Sequence, residues 1–254
     1  MINIEPIEAF SDNYIWLLTT NEGSIVIDPG ESNNLLKILK ERNLDLKAIL
    51  ITHHHFDHTA GIDEILSEKS IDVYGPNNNI DSINIRVTDE SKINLLGIEF
   101  KIIEIPGHTH DHIAYYSENN GDPILFCGDT LFAGGCGRVF EGTFEQMHDS
   151  LSILKELPIN TKIYCGHEYT ESNLKFAISV EPLNQKIISQ YNAVIELRKQ
   201  GIPTLPTTIE VELETNPFLR VDLKEVQQEI SKKFNTSKND KDIFTAMRKW
   251  KDNF

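Results

Sequence analysis

The chain has 254 residues, enough for one large domain with an appendage and for a sizeable buried core. Its 24 Lys+Arg against 39 Asp+Glu give a net charge of −15, which disfavours a general nucleic-acid binder, since phosphate recognition needs a basic footprint. With 39% hydrophobic and 25% charged residues the composition is that of a globular protein, and no stretch reaches the roughly 18 apolar residues of a membrane span.

The opening MINIEPIEAF has no basic region and carries two glutamates, unlike a secretory signal. Residues 13–19 (NYIWLLT) and 24–28 (SIVID) read as strands around an Asn21-Glu22-Gly23 hairpin turn. A helix is predicted over 31–42 and a strand over 48–52 (AILIT), followed by a short helix over 61–68. A second β-rich cycle takes 72–75, a hairpin through Leu96-Gly97 into 97–105, then 112–116 and 124–128 (ILFCG). The apolar runs 48–51 and 124–127 are continuous, as in strands covered on both faces. Residues 143–156 are amphipathic and 162–166 (KIYCG) return to strand.

After about residue 170 the chain turns helical, over 171–200 with a break at Glu181-Pro182, then over 222–233 and 239–251. The expected fold class is α+β: two packed mixed sheets with helices on their outer faces (residues 1–170), plus a C-terminal α-helical domain (171–254). The three cysteines, Cys127, Cys136 and Cys165, lie far apart and fit a reducing cytoplasm better than a disulfide framework. A cytoplasmic monomer without nucleic-acid or membrane partners is expected.

Of the 9 histidines, seven fall in two windows: His53, His54, His55 and His58, then His108, His110 and His112. The first window, Thr52-His-His-His-Phe-Asp-His58, follows the apolar strand directly. In extended chain alternate side chains share a face, so His53 and His55 point together and His54 points away. Asp57 and His58 come next on a loop. Imidazole and carboxylate suit borderline divalent metals. Further donors stand at other strand ends after a glycine: His108 in PGHT, Asp129 in CGDT and His167 in CGHE. A carboxylate can bridge two cations. Jointly these give His53, His55, His108 and Asp129 for one ion, and Asp57, His58, Asp129 and His167 for the other.

The strings THHHFDHTAG, PGHT, CGDTLF and CGHEYT resemble the metallo-β-lactamase superfamily, and within it the glyoxalase II (hydroxyacylglutathione hydrolase) family. The second likeness reaches most of the chain through SDNY (11–14), GGCGR (134–138), EGT (141–143), NPF (216–218) and MRKWKD (247–252). The resemblance implies an αβ/βα metallo-β-lactamase sandwich and a site of two divalent ions, zinc first, with iron or manganese as alternatives. It implies hydrolysis of the thioester S-D-lactoylglutathione to D-lactate and glutathione, the second step of methylglyoxal detoxification. Paired cations would hold a bridging water and lower its pKa to supply hydroxide. Asp57 and Asp129 would be the catalytic carboxylates. Arg248 and Lys251 would take the glycine carboxylate of glutathione, with Arg138 and Tyr169 nearer the thioester. Residues 221–254 carry 8 Lys+Arg against 6 Asp+Glu, locally reversing the overall sign.

Two positions depart from the family pattern: Phe140 stands where many members carry a tyrosine that hydrogen-bonds glutathione, and Arg138 where some carry lysine. A one-iron oxidoreductase of the persulfide dioxygenase type shares much of the histidine motif and is the main alternative; the helical tail argues against it. A non-catalytic metal-binding protein is the other. His110 and His148 read as surface residues, His112 as a support for a ligand, and Asp28 either as a turn former or as the orienting partner of a ligand histidine.

Overall fold

The computed structural model describes residues 2–89 and 91–254. The backbone forms two units, one taking the chain to Glu104 and from Asp111 to Gly128, the other Ile105–His110 and Asp129–Phe254.

In the first unit, strands β1 (Asn3–Ala9), β2 (Asn13–Thr20) and β3 (Gly23–Ile27) form an antiparallel meander, with Gly23 at φ +143° in its turn. Helix α1 (Asn33–Glu41) then crosses over to β4 (Leu46–Leu50), parallel to β3. A one-turn helix α2 (Phe56–Thr59) and helix α3 (Ile62–Glu68) lead to β5 (Asp72–Gly75) and β6 (Ile85–Arg86), also parallel. The result is a mixed sheet in the order β1-β2-β3-β4-β5-β6. Strands β7 (Lys92–Leu95), β8 (Ile98–Glu104), β9 (Ile113–Ser117) and β10 (Ile124–Gly128) make an antiparallel ladder.

The continuous apolar runs behave as expected: Ala48 to Ile51 and Leu125 to Cys127 are all fully buried. One face of the mixed sheet packs Ile15, Leu17, Val26, Ile49 and Val73 against Leu35 and Leu39 of α1 and Ile62 and Ile65 of α3. Each such side chain contributes about 1.5–3 kcal/mol when taken out of water. On β9, the Tyr115 hydroxyl lies 2.9 Å from the carbonyl oxygen of Ile51 and 3.2 Å from that of Tyr74. Ile113 N donates to Thr52 O at 2.9 Å. These contacts pin the carboxyl end of β4, where the histidine run begins.

In the second unit, β11 (Leu131–Phe132) and β12 (Gly135–Cys136) form a small hairpin. Helix α4 (Phe144–Lys155) opens on a capping box: Gln146 N donates to Thr143 Oγ1 and Thr143 N to Gln146 Oε1. Next come β13 (Lys162–Cys165), α5 (Thr170–Val180) and α6 (Gln185–Lys199). Pro182 ends the first of these helices, and Asn184 caps the second by accepting from Lys186 N at 3.0 Å. Strand β14 (Thr207–Thr208) pairs antiparallel with β13, and α7 (Ile209–Thr215), α8 (Lys224–Phe234) and α9 (Asp240–Lys251) complete the chain. Helix α9 starts with Asp240 and Asp242 and ends with Arg248, Lys249 and Lys251, matching the helix dipole. Phe176, Phe218, Phe244 and Trp250 interlock as its aromatic core, with centroids 5.0–5.9 Å apart.

The predicted surface position of His148 is corrected here. Its side chain is only 13% exposed, and its ring stands edge-on to Phe244 at 5.6 Å, because this face of α4 meets α9. Among the described residues, no helix is long and apolar enough to cross a membrane.

Candidate active site

Four of the expected ligands belong to the first unit. His53 leaves β4 fully buried, and its ring centroid is 4.8 Å from that of His55 and 4.2 Å from that of His58. Asp57 and His58 lie on the one-turn helix α2 rather than on open loop, with Asp57 Oδ2 3.6 Å from His58 Nε2. The His54 ring centroid is 5.1 Å from that of His55, and its Nδ1 is 2.9 Å from Asp111 Oδ1.

A hydrogen-bond relay fixes the imidazole tautomers. Asp28, buried and left-handed at φ +52°, accepts from Thr52 N at 2.8 Å, from Thr52 Oγ1 at 2.7 Å and from His58 Nδ1 at 3.0 Å. Having donated to Asp28, the Thr52 hydroxyl can only accept from His53 Nδ1, 3.0 Å away. Both rings therefore carry their proton on Nδ1 and present Nε2 as the basic nitrogen. His112 stacks on His53 at 4.5 Å and 14°, its own Nδ1 donating to Ile113 O. Asn13 Nδ2 donates to Asp57 Oδ2 at 2.8 Å. Of the two readings offered for Asp28, it is the orienting partner as well as a turn residue.

The glycines here are steric necessities. A Cβ on Gly30 would fall 1.9 Å from Asp57 O, and one on Gly128 2.3 Å from Thr52 Oγ1. Replacing Asp28 by Asn is expected to cost 10- to 100-fold in metal affinity, measured as dialysis-resistant metal; undiminished affinity would remove Asp28 from the relay.

The three other expected ligands belong to the second unit. Asp129 Oδ2 is 3.4 Å from His108 Nε2 and 3.2 Å from His167 Nε2, so one carboxylate oxygen serves both rings. His108 Nδ1 donates to Arg138 O at 2.7 Å, which again leaves Nε2 basic. Its loop is tied to α4 by Ser150 Oγ, which donates to Pro106 O, and by Gly107, whose added Cβ would strike Met147 at 2.8 Å. His167 stacks on Tyr169 at 4.6 Å and 5°. His110 is exposed, as expected.

Of the basic residues, Arg138 is 55% exposed, while the other two are less solvated than a helix face would be. Arg248 is 4% exposed. Its guanidinium donates to Cys136 O at 2.7 Å and lies 3.0 Å from Asp252 Oδ1, the same carboxylate oxygen that Arg138 Nε approaches at 3.4 Å. Lys251 donates to Asn173 Oδ1, and burial, with the Arg248 charge second, lowers its ammonium pKa to about 8. Phe140 is 60% exposed, with the Arg138 guanidinium carbon 5.9 Å from its ring.

Sequence reasoning did not single out Asn13, Thr52 or Asn173 as individual contributors. A buried asparagine on the inner face of α5 is the one of these that helical periodicity could have flagged.

Residues 10–167 match the model of the metallo-beta-lactamase superfamily, and residues 168–254 that of the hydroxyacylglutathione hydrolase C-terminus. A hydroxyacylglutathione hydrolase of Pseudoalteromonas translucida (strain TAC 125) is 47% identical over 261 residues, covering 100% of both chains. The chain belongs to the hydroxyacylglutathione hydrolase family. That of Pseudomonas entomophila (strain L48) is 46% identical over 259 residues, again covering 100% of both chains. Among solved structures, ETHE1 from Myxococcus xanthus superposes with a TM-score of 0.66 at 24% identity, covering 99% of this chain and 98% of its own. The BLEG-1 B3 metallo-beta-lactamase gives 0.65 at 22%, covering 86% and 99%. At these identities the structures establish the metallo-β-lactamase fold alone. As a member of this family the chain is a hydrolase, and its histidine and aspartate clusters are donor sets for divalent metal ions.

Proposed function

We propose that this hydroxyacylglutathione hydrolase family member cleaves S-D-lactoylglutathione to D-lactate and glutathione, with His53, His55, Asp57, His58, His108, Asp129 and His167 as ligands of two divalent ions, zinc foremost. The observation that carries the reading is Asp129: a carboxylate oxygen within 3.4 Å of two imidazole Nε2 atoms is what a shared ligand requires. The donor set fits the group, being oxygen and imidazole nitrogen only, with Nδ1 occupied at His53, His58 and His108. Bound divalent ions supply Lewis acidity and make hydroxide available from water near neutral pH.

The chain's own residues do the rest. Asp28 and Thr52 hold protons on His58 Nδ1 and His53 Nδ1, so these rings cannot tilt or change tautomer. Asn13 donates to Asp57 Oδ2 at 2.8 Å and holds that carboxylate in place, as a ligand first and a proton carrier second. The departing thiolate, from a thiol of pKa about 8.5, needs no dedicated acid. Arg138, Arg248 and Lys251 offer three cations against the single carboxylate of Asp252, and receive the anionic tail of glutathione; Tyr169, held parallel to His167, lies nearer the thioester.

The proposal extends to a division at residue 170, with a catalytic part before it and a substrate-binding part after it. The junction of the two family matches at 167/168 supports this. A cytoplasmic monomer with no nucleic-acid partner completes the reading, in keeping with three cysteines far apart in the sequence and a net charge of −15. Release of glutathione thiol from D-lactoylglutathione tests the activity. Inertness toward that thioester, with oxygen uptake on glutathione persulfide instead, would replace the reading.

The Lys251 ammonium adds a pH signature. Its pKa is lowered to about 8, so KM for an anionic thioester is expected to rise above that pH, as the cation is lost. Lys251→Arg should abolish the rise, and a rise identical in both proteins would contradict the assignment. For stability the sign is opposite. Between about 8 and the ordinary 10.5 the unfolded chain holds the extra proton, so this group's contribution to stability grows with pH.

A further inference from the structure

Residues 133–137, Ala-Gly-Gly-Cys-Gly, have small side chains that offer little to packing. Backbone groups of this turn are met instead by polar side chains from far along the chain. Gly134 N donates to Glu212 Oε2 at 2.7 Å. Asn216 Nδ2 donates to Phe132 O at 3.2 Å and to Gly135 O at 2.8 Å. Asn173 Nδ2 donates to Ala133 O at 3.0 Å. The glycines permit this approach: Gly134 is left-handed at φ +69°, and a Cβ on Gly135 would meet the Asn173 side chain at 2.7 Å.

Glu212 is the hub of this net. It is 1% exposed, its Oε2 also accepts from Asn216 Nδ2 at 2.9 Å, and its Oε1 accepts from Thr207 Oγ1 at 2.7 Å. A carboxyl group stripped of water is costly unless its partners are specific. Burial raises its pKa to about 7 even against those hydrogen bonds. The turn carries Phe132, whose ring stands edge-on to His167 (5.9 Å, 87°) and to Tyr169 (5.3 Å, 83°).

We propose that Glu212 is a positioning residue: with Asn216 it fixes the 132–135 turn, and through Phe132 it sets the orientation of His167 and Tyr169. The inference deepens the functional reading and rests on it for the roles of those two residues. A purely structural clamp would lower stability when removed and leave the metal and substrate parameters alone.

The test uses the full-length apo protein titrated with Co²⁺, reading equivalents bound and the visible absorption of the complex, and then kcat and KM of the metal-loaded enzyme. Glu212→Gln can keep the net, with its carbonyl toward Gly134 and Asn216 and its amide donating to Thr207; wild-type Co²⁺ equivalents, spectrum and kcat are expected. Glu212→Ala is expected to weaken one Co²⁺ equivalent at least tenfold, to shift the spectrum, and to lower kcat at least tenfold while KM moves less than threefold. Val194→Ala, in the α5–α6 core, should lower Tm and change none of these. Wild-type Co²⁺ affinity, spectrum and kcat in Glu212→Ala would overturn the proposal. Should that variant not fold, Asn216→Ser carries the same expectations and the same overturning result. A wild-type protein that binds Co²⁺ normally and fails to cleave lactoylglutathione would sink the substrate reading, while the Co²⁺ comparison still decides the role of Glu212.

Discussion

Asp129→Ala is expected to hold at most one divalent ion per chain and to lose on the order of a thousandfold in kcat, about 4 kcal/mol of barrier. The reason is geometric. Asp129 Oδ2 lies 3.4 Å from His108 Nε2 and 3.2 Å from His167 Nε2, so deleting it removes one anionic donor from both proposed ions at once. Asp129→Asn keeps the shape and loses the charge; it should fall between wild type and alanine in metal content. Elemental analysis after dialysis reads the first expectation and thiol release the second. An alanine variant that retains two ions would dismiss the shared-ligand role, whatever its turnover.

Arg248→Ala is expected to raise KM for glutathione thioesters about 10- to 100-fold while lowering kcat far less, as for a group proposed to bind the substrate's tail and not its reacting atoms. The structure adds a second expectation. Arg248 donates to Cys136 O and pairs with Asp252, and its guanidinium carbon sits 5.1 Å from the centre of the Phe218 ring. Truncation strands a buried carbonyl and a partly buried carboxylate, at about 1–3 kcal/mol. Tm should fall along with the loss of affinity. Arg248→Lys should recover part of the stability and little of the affinity, since an ammonium cannot reproduce a planar fork. An unaltered KM would take Arg248 out of substrate binding; an unaltered Tm would take it out of the turn.

The sequence was most legible where burial runs along a continuous segment. AILI at 48–51 and ILFC at 124–127 could be read as central strands because both faces lose water. The amphipathic run at 143–156 begins at a capping threonine, and α4 starts one residue later. Strand β1 was not anticipated: NIEPIEA mixes exposure along its length and includes a proline, tolerable because β1 is the outermost strand and pairs only with β2. Strands β11, β12 and β14 have two residues each, too few for any period. Helix α7 is short and was hidden behind the prolines at 203 and 206.

In the candidate site, the expected donors stand out in the sequence because histidine and aspartate recur at strand ends. Their supports do not. Thr52, Asn13 and Glu212 act through contacts spanning 24, 44 and 78 residues, and no local pattern encodes such a distance. His148 was misjudged for a related reason. Its ring is amphipathic, and only the presence of Phe244 on α9 decides that its apolar part is covered.

Stepwise metal reconstitution tests the central claim most directly. Apo protein is titrated with Zn²⁺, and hydrolysis of D-lactoylglutathione is followed at each addition. Activity is expected to climb until two equivalents per chain are bound and then to level off. Full activity at one equivalent, or none at two with the metal demonstrably bound, would contradict the paired-ion thioesterase.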